Sequence, residues 1–344
     1  MQRGLALVSL FVASCIPAEL DSNIYASGRF LCPPAPLAPQ AVPDRGAFAH
    51  VLEGISSTQT LRYEGRDWDD TLLIGCRVQL AAGAAIELKD VRNFWVVGCF
   101  VQATGAGVTV VGSPGVVIRE NHIRDVRGIG ISVEVDPASG ATSRGARIEG
   151  NRIERAAGGA VSVSGIDLAL VGNIACDDSA SFAVSFSGTG TVARNRIVAA
   201  QLSGMLVSTS ARALLENNMI DALADALFVS AGTVELRFNT LLSSLEPFHT
   251  LRAHGPEVRS WANIFAHRST DRPIEGQFVD EGGSFLQRGL DGFAGPTRPF
   301  DLHLTTEHEA LSTAAGIASH PDFDIDGEPR ALARLDPGAD QRTR

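Results

Sequence analysis

Val117-Ile118-Arg119-Glu120-Asn121-His122-Ile123 is followed, 30 residues on, by Arg147-Ile148-Glu149-Gly150-Asn151-Arg152-Ile153. Each stretch sets an apolar pair, a turn and a second apolar run around one asparagine. The same register returns at Asn173, Asn195, Asn218, Asn239 and Asn263. Backwards along the chain, Cys99 (in Val97-Gly98-Cys99-Phe100-Val101) and Cys76 (in Ile74-Gly75-Cys76-Arg77-Val78) occupy the same slot. Successive slots are 23, 22, 30, 22, 22, 23, 21 and 24 residues apart. A near-constant period in this range signals a solenoid. Between the slots lie short alternating runs such as Gly130-Ile131-Ser132-Val133-Glu134 and Ala160-Val161-Ser162-Val163-Ser164. Alternation with period two over four or five residues is strand, not helix.

Three such strands per repeat, with glycines and one asparagine at the corners, describe one turn of a parallel β-helix. Stacked asparagine side chains can bond to their counterparts one coil up and down, and asparagine tolerates the left-handed conformation of a sharp corner. Asn121, Asn151, Asn173, Asn195, Asn218, Asn239 and Asn263 are therefore read as a structural ladder. On these repeats, residues 72–265 resemble the right-handed parallel β-helix proteins, the architecture of pectate lyases and many bacterial surface proteins. The expected fold is all-β, a right-handed solenoid of about nine coils over 72–270. Residues 45–71 are expected to cap one end. The tail over 271–344 contains Asp301-Leu302-His303-Leu304-Thr305 and Asp324-Ile325-Asp326-Gly327-Glu328-Pro329-Arg330. It is similar to a terminal segment of secreted bacterial β-helix proteins, which implies a cap at the other end, because an open solenoid exposes unpaired edges.

The chain starts as an address. Met1-Gln2-Arg3 precedes the apolar stretch Gly4 to Ala13, too short to span a bilayer and laid out as a secretory signal over 1–14. Val12-Ala13-Ser14-Cys15 resembles the lipobox of bacterial lipoproteins, which implies a lipidated Cys15; ordinary signal cleavage nearby is the alternative. Residues 15–44, with Pro17, Pro33, Pro34, Pro36, Pro39 and Pro43, read as an extended tether. The expected location is a bacterial outer membrane or cell surface, held by the lipid chains, and a monomer is expected. A net charge of -10 argues against nucleic-acid binding. Of 29 basic residues only Lys89 is a lysine, a pattern that genome composition explains.

In pectate-lyase-like proteins substrate lies along the outer face of one parallel sheet. Here the outward pairs align as Glu87/Lys89, Thr109/Val111, Ser132/Glu134, Ser162/Ser164, Ser185/Ser187, Leu206/Ser208 and Phe228/Ser230, while His249, Arg252 and His254 stay ambiguous. The one irregular step, between Asn121 and Asn151, places an insertion just after Glu134. Long loops on a solenoid usually border its working face. Lys89 as base, Glu134 and Asp136 as calcium ligands, and Arg144 form the candidate catalytic group of a uronate lyase. A solvated polar face is the other reading. Glu87, Ser132, Ser162, Ser164, Ser185 and Ser187 are candidate glycan-binding residues, against serines merely tolerated on an exposed strand. Asp322, Asp324 and Asp326 occupy alternate positions of an incomplete calcium loop, against an acidic turn. Cys76 and Cys99, one coil apart, are close enough for a disulfide in an exported protein, against stacked thiols; Cys32 and Cys176 have no evident partner. Two functions follow: a carbohydrate-facing protein that binds or cleaves an acidic polysaccharide, or a non-catalytic surface scaffold of adhesin type.

Overall fold

The structure, a computed structural model, describes residues 43–79, 82–176, 179–255, 257–268 and 273–289. Beyond these it describes 293–295, 301–304, 314, 321–322, 324–326, 330 and 336–339. Cys15, Cys32 and the tether up to residue 42 lie outside the described residues.

The chain winds into a right-handed parallel β-helix. Each coil contributes one strand to each of three faces, here called back, flank and front in chain order. Thr71–Ile74, Arg77–Gln79 and Ile86–Lys89 make one such coil. The flank is an eleven-stranded sheet, so the solenoid makes about ten turns between its first and last rungs. Front and back join into a single sheet because strands such as Val161–Val171 and Phe182–Ala193 run through the corner between them, with a register shift at Gly165/Leu168. The interior is apolar: Val78, Val101, Ile123, Ile153, Ile197, Ile220 and Phe265 stack inward from the flank in one buried cluster.

The asparagine slot behaves as a ladder with a fixed bond pattern. The side-chain oxygen of Asn151 accepts both the backbone N–H (3.0 Å) and the Nδ2 (2.9 Å) of Asn121. Asn121 Nδ2 also donates to the Val96 carbonyl, at 3.0 Å. The same two bonds recur from Asn151 to Asn173, and onward to Asn195, Asn218, Asn239 and Asn263. All seven side chains are at least 96% buried, Asn173 being the most exposed at 4%. Towards the N-terminus Cys99 N–H donates to Asn121 (2.8 Å), and Cys76 and Cys99 are joined by a disulfide with Cα atoms 4.5 Å apart. Cys176 is disulfide-bonded as well.

The left-handed corner lies one residue earlier than the asparagine. Gly75, Gly98, Glu120, Gly150, Gly172, Arg194, Asn217, Phe238 and Ala262 all have φ between 52° and 66° and each precedes a ladder residue. Five of these nine are not glycine, and Glu120, Arg194, Phe238 and Ala262 each cost roughly 1–2 kcal/mol in that conformation. The ladder bonds directly after them hold the bend.

Both ends depart from the sequence reading. Within 45–71, expected as a cap, His50–Glu53, Ser56–Ser57 and Leu61–Glu64 form a complete coil, paired in register with the next. Beyond residue 270, Ile274–Gly276, Val279–Gly282 and Phe285–Arg288 add another rung. The tail does not fold over the open end where it is described. Phe293, Leu302, Leu304, Ile325 and Ala339 pack sideways, in one buried cluster with the outward flank residues Met219, Leu242, Ile264 and Ala266. Apolar side chains on the outside of that sheet would otherwise face water. Arg330 pins this strap: it donates to Asn217 Oδ1 (2.7 Å) and to the Gly338 and Ala339 carbonyls, and stacks on Phe238.

Removing one ladder amide strands several buried partners at once. Asn195→Ala leaves the Leu170 carbonyl and the Asn173 donors short of a bond. At about 1–3 kcal/mol per unsatisfied buried group, the loss comes to roughly 3–5 kcal/mol. Urea unfolding should show it, with Thr191→Ala, half-buried on the outer side of the back face, changing stability by less than about 1 kcal/mol.

Candidate functional site

Because coils stack in register, residues at one offset from the ladder form a straight row. On the front face one outward row runs Arg62, Glu87, Thr109, Ser132, Ser162, Ser185, Leu206, Phe228, Arg252, Glu275. Rungs lie about 4.8 Å apart. The second row carries Glu64, Lys89, Val111 and Glu134, and then Ser164, Ser187 and Ser208. There a register shift pairs Ser208 with Ala231 and sets Ser230 aside.

Of the candidate catalytic group, Asp136 lies near enough to Lys89 for their charges to act on each other, but the lysine is hydrogen-bonded elsewhere. Lys89 Nζ turns one coil back to Glu64, at 3.0 Å. That hydrogen bond and charge raise the Lys89 pKa, the direction opposite to what a general base requires. Glu134 accepts the Ser132 hydroxyl at 2.6 Å and stands two rungs from Lys89, about 10 Å by the rung spacing. Asp136 is the hinge of the inserted turn: it accepts the Ser139 hydroxyl (2.5 Å) and the Ala138 N–H (2.9 Å), which hold its carboxyl below the usual range. Arg144 pairs with Asp167 at 2.9 Å, on the corner leading to the back face. Glu87 is committed to Arg62 (2.6 Å), and Ser132 is buried at 3% exposure. Asp324 is buried and accepts the Asp326 N–H, while Asp326 pairs with Arg196. In this region the acidic turn serves to fasten the tail.

What remains open on the front face is its middle. A shallow groove is lined by Ser162, Ser185, Ser179 and Ser181 together with Ile129, Val161, Phe182 and Leu202. No ionisable side chain lines it. The Phe182 ring stacks with Phe228 at a centroid distance of 6.2 Å and an angle of 17°, and Phe228 meets His254 edge-on at 5.3 Å. The groove thus offers hydroxyls beside an aromatic platform.

Past Phe228 lies a cluster that the sequence pattern left ambiguous. Arg252 bonds the Asp225 carboxylate (3.0 Å) beneath it and Glu275 (2.6 Å) beside it, and touches His249 Nδ1 at 3.2 Å. Glu275 also meets His249 at 3.3 Å and His254 at 4.0 Å. Burial raises the Asp225 pKa, although the His249 N–H and Arg252 oppose it. Partial burial works against Glu275 too, but there the Arg252 bond and charge prevail and its pKa falls. Asp225 therefore positions Arg252, and Arg252 presents Glu275 to solvent in a fixed orientation.

The two carboxylates should respond differently to loss of the guanidinium. Arg252→Leu strands the buried Asp225 charge and should cost roughly 3–5 kcal/mol in urea unfolding. Glu275→Gln breaks only a half-exposed pair and should cost less than about 1 kcal/mol.

Residues 97–267 match the family described as periplasmic copper-binding protein (NosD). No curated protein matches the chain. Among solved structures it is similar to the catalytic unit of a thermostable GH87 alpha-1,3-glucanase from Streptomyces thermodiastaticus strain HF3-3, at 12% identity and a TM-score of 0.39, over 74% of this chain and 64% of that one. It is also similar to XylC in complex with xylose, at 10% identity and a TM-score of 0.44, over 84% of this chain and 64% of that one. The chain spans about 64% of the length of these two structures. The likeness is one of fold alone. The residues described do not fit a copper site. Among them no group of three His, Cys, Asp or Glu side chains is placed to hold a metal ion. The soft donors copper favours are committed elsewhere: Cys76, Cys99 and Cys176 are in disulfides, and Met205 and Met219 are buried at 0% and 5% exposure.

Proposed function

We propose that this protein is an exported carbohydrate-binding β-helix that holds a neutral glycan along its front face. The observation that carries this reading is the uncharged middle of that face. Ser162 and Ser185 line a groove with Phe182, and the row then continues through Leu206 to Phe228. Hydroxyls hydrogen-bond to sugar hydroxyls, while an aromatic ring covers the apolar face of a pyranose. A repeating surface also suits a repeating ligand, since equivalent groups recur every rung.

An acidic polysaccharide, expected from Lys89 and Glu134, fits this face poorly. Its cations already have carboxylate partners: Arg62 on Glu87, Lys89 on Glu64, and Arg252 on Asp225 and Glu275. With the chain at -10 overall, a uronate would meet no free positive charge in the groove. Arg252 and Glu275 instead form a fixed donor–acceptor pair at the end of the row, able to bracket neighbouring sugar hydroxyls. The basic and apolar start of the chain and the periplasmic description of the matching family support export, with the lipid anchor at Cys15 as part of the same reading.

Affinity electrophoresis through gels containing soluble neutral glucans, xylans or mannans tests this. At least one neutral polymer should retard the protein, and Phe228→Ala should weaken that retardation about threefold to tenfold, the worth of one stacking contact. Failure of every neutral polymer, or retardation indifferent to Phe228→Ala, would contradict the reading and leave a scaffold that binds no glycan on this face.

A further inference from the structure

The outer side of the flank is divided in two. From Met219 onward its apolar residues Met219, Leu242, Ile264 and Ala266 lie under the C-terminal strap. Earlier rungs carry a different surface. One outward row is Arg77, Phe100, His122, Arg152, and the other is Gln79, Gln102, Arg124, Glu154. The Arg77 guanidinium stands 4.8 Å from the Phe100 ring centre and that of Arg124 stands 5.1 Å from it, so one ring is held between two cations. His122 closes on the same ring edge-on, at 5.4 Å. A guanidinium stacked on an aromatic keeps its N–H edges free for a planar anion.

Four arginines gather on this surface. Arg124, Arg152 and Arg155 have Asp125 and Glu154 among their carboxylate partners. Asp125 is shared by Arg124 (3.6 Å) and Arg155 (2.6 Å), and Glu154 by Arg152 (2.5 Å), Arg155 (3.5 Å) and His122 (3.3 Å). Arg77 has no carboxylate partner among the described residues; its polar contact is Gln79, at 3.4 Å. Gln79, Gln102 and Asp125 form a hydrogen-bonded file from rung to rung beside the arginines, each bond 3.3 Å long.

We propose that this face binds a linear anionic polysaccharide, its carboxylate, sulfate or phosphate groups seated on Arg77 and Arg124 and its hydroxyls on the glutamine file. The two arginines are two rungs apart, about 10 Å, a spacing that a chain of discrete anions can match. A lipid surface fits less well. The one aromatic is enclosed by cations rather than free to insert, and the interleaved Asp125 and Glu154 would be pressed against the headgroups. The site is independent of the front groove, which lies on another sheet.

Dextran sulfate is a direct probe, with uncharged dextran and phosphatidylglycerol vesicles as the other arms. The full chain should bind dextran sulfate, more weakly as salt rises, and should ignore uncharged dextran. Arg77→Gln/Arg124→Gln should lose at least about tenfold in affinity, the worth of charged hydrogen bonds. Arg212→Gln/Arg259→Gln, an equal change of charge on the back face, should lose less than about threefold. Should Arg124→Gln prove unstable by thermal unfolding, Arg77→Gln alone carries the test, because Arg77 is exposed. Equal losses in the two double variants, or no binding of dextran sulfate at low salt, would overturn the proposal. So would vesicle binding that the Arg77→Gln/Arg124→Gln variant abolishes.

Discussion

One buried amide per coil must find its copy in the coil above and the coil below. This requirement governs the solenoid. An asparagine side chain has one carbonyl and one NH2, and in the ladder the carbonyl takes two donors from the preceding coil while the amide reaches the following one. No shift of register satisfies both. The ladder therefore fixes the stacking of all three sheets, and it supports left-handed bends at residues as unsuited to them as Phe238 and Ala262. The disulfide extends the same slot by a covalent bond between Cys76 and Cys99.

The surfaces inherit their order from that slot. Side chains at a constant offset from it line up in rows a rung apart, so a single residue type repeated over several coils becomes a strip. On the front face the strip is serine and phenylalanine, bounded by ion pairs that are closed within the protein. On the early flank it is arginine, glutamine and one enclosed ring. On the late flank it is methionine, leucine and isoleucine, and there the tail lies down. Three neighbouring strips of one regular fold thus carry three different chemistries, and their boundaries are set by single residues such as Phe228 and Met219.

Much of this was legible in the sequence, for a stated reason. Only asparagine supplies both bonds of the ladder, so the slot showed wherever it was filled by Asn, or by the cysteine pair at one end. The outward alignment of Glu87 through Phe228 followed from counting along that slot. The first and last rungs were missed because Ile55 and Ser284 take the slot there. Ile55 contributes only its carbonyl, to Arg77, whereas the Ser284 hydroxyl accepts the Asn263 N–H. The direction of the tail was not legible either. Met219, Leu242 and Ile264 are apolar on both readings, and only the structure shows that they point outward. The Arg252 cluster was obscured by irregular spacing before it, and the bond from Lys89 to Glu64 was not legible because a neighbour one coil back does not appear in a linear pattern.

A crystal structure of the protein soaked with a neutral oligosaccharide tests the central claim most directly. The account predicts sugar rings running along the solenoid axis on the front face, with contacts to Ser162, Ser185 and Phe228 and a terminal ring against Arg252 and Glu275. Sugar bound only on another face, or an empty front groove at a concentration where binding is seen in solution, would contradict it.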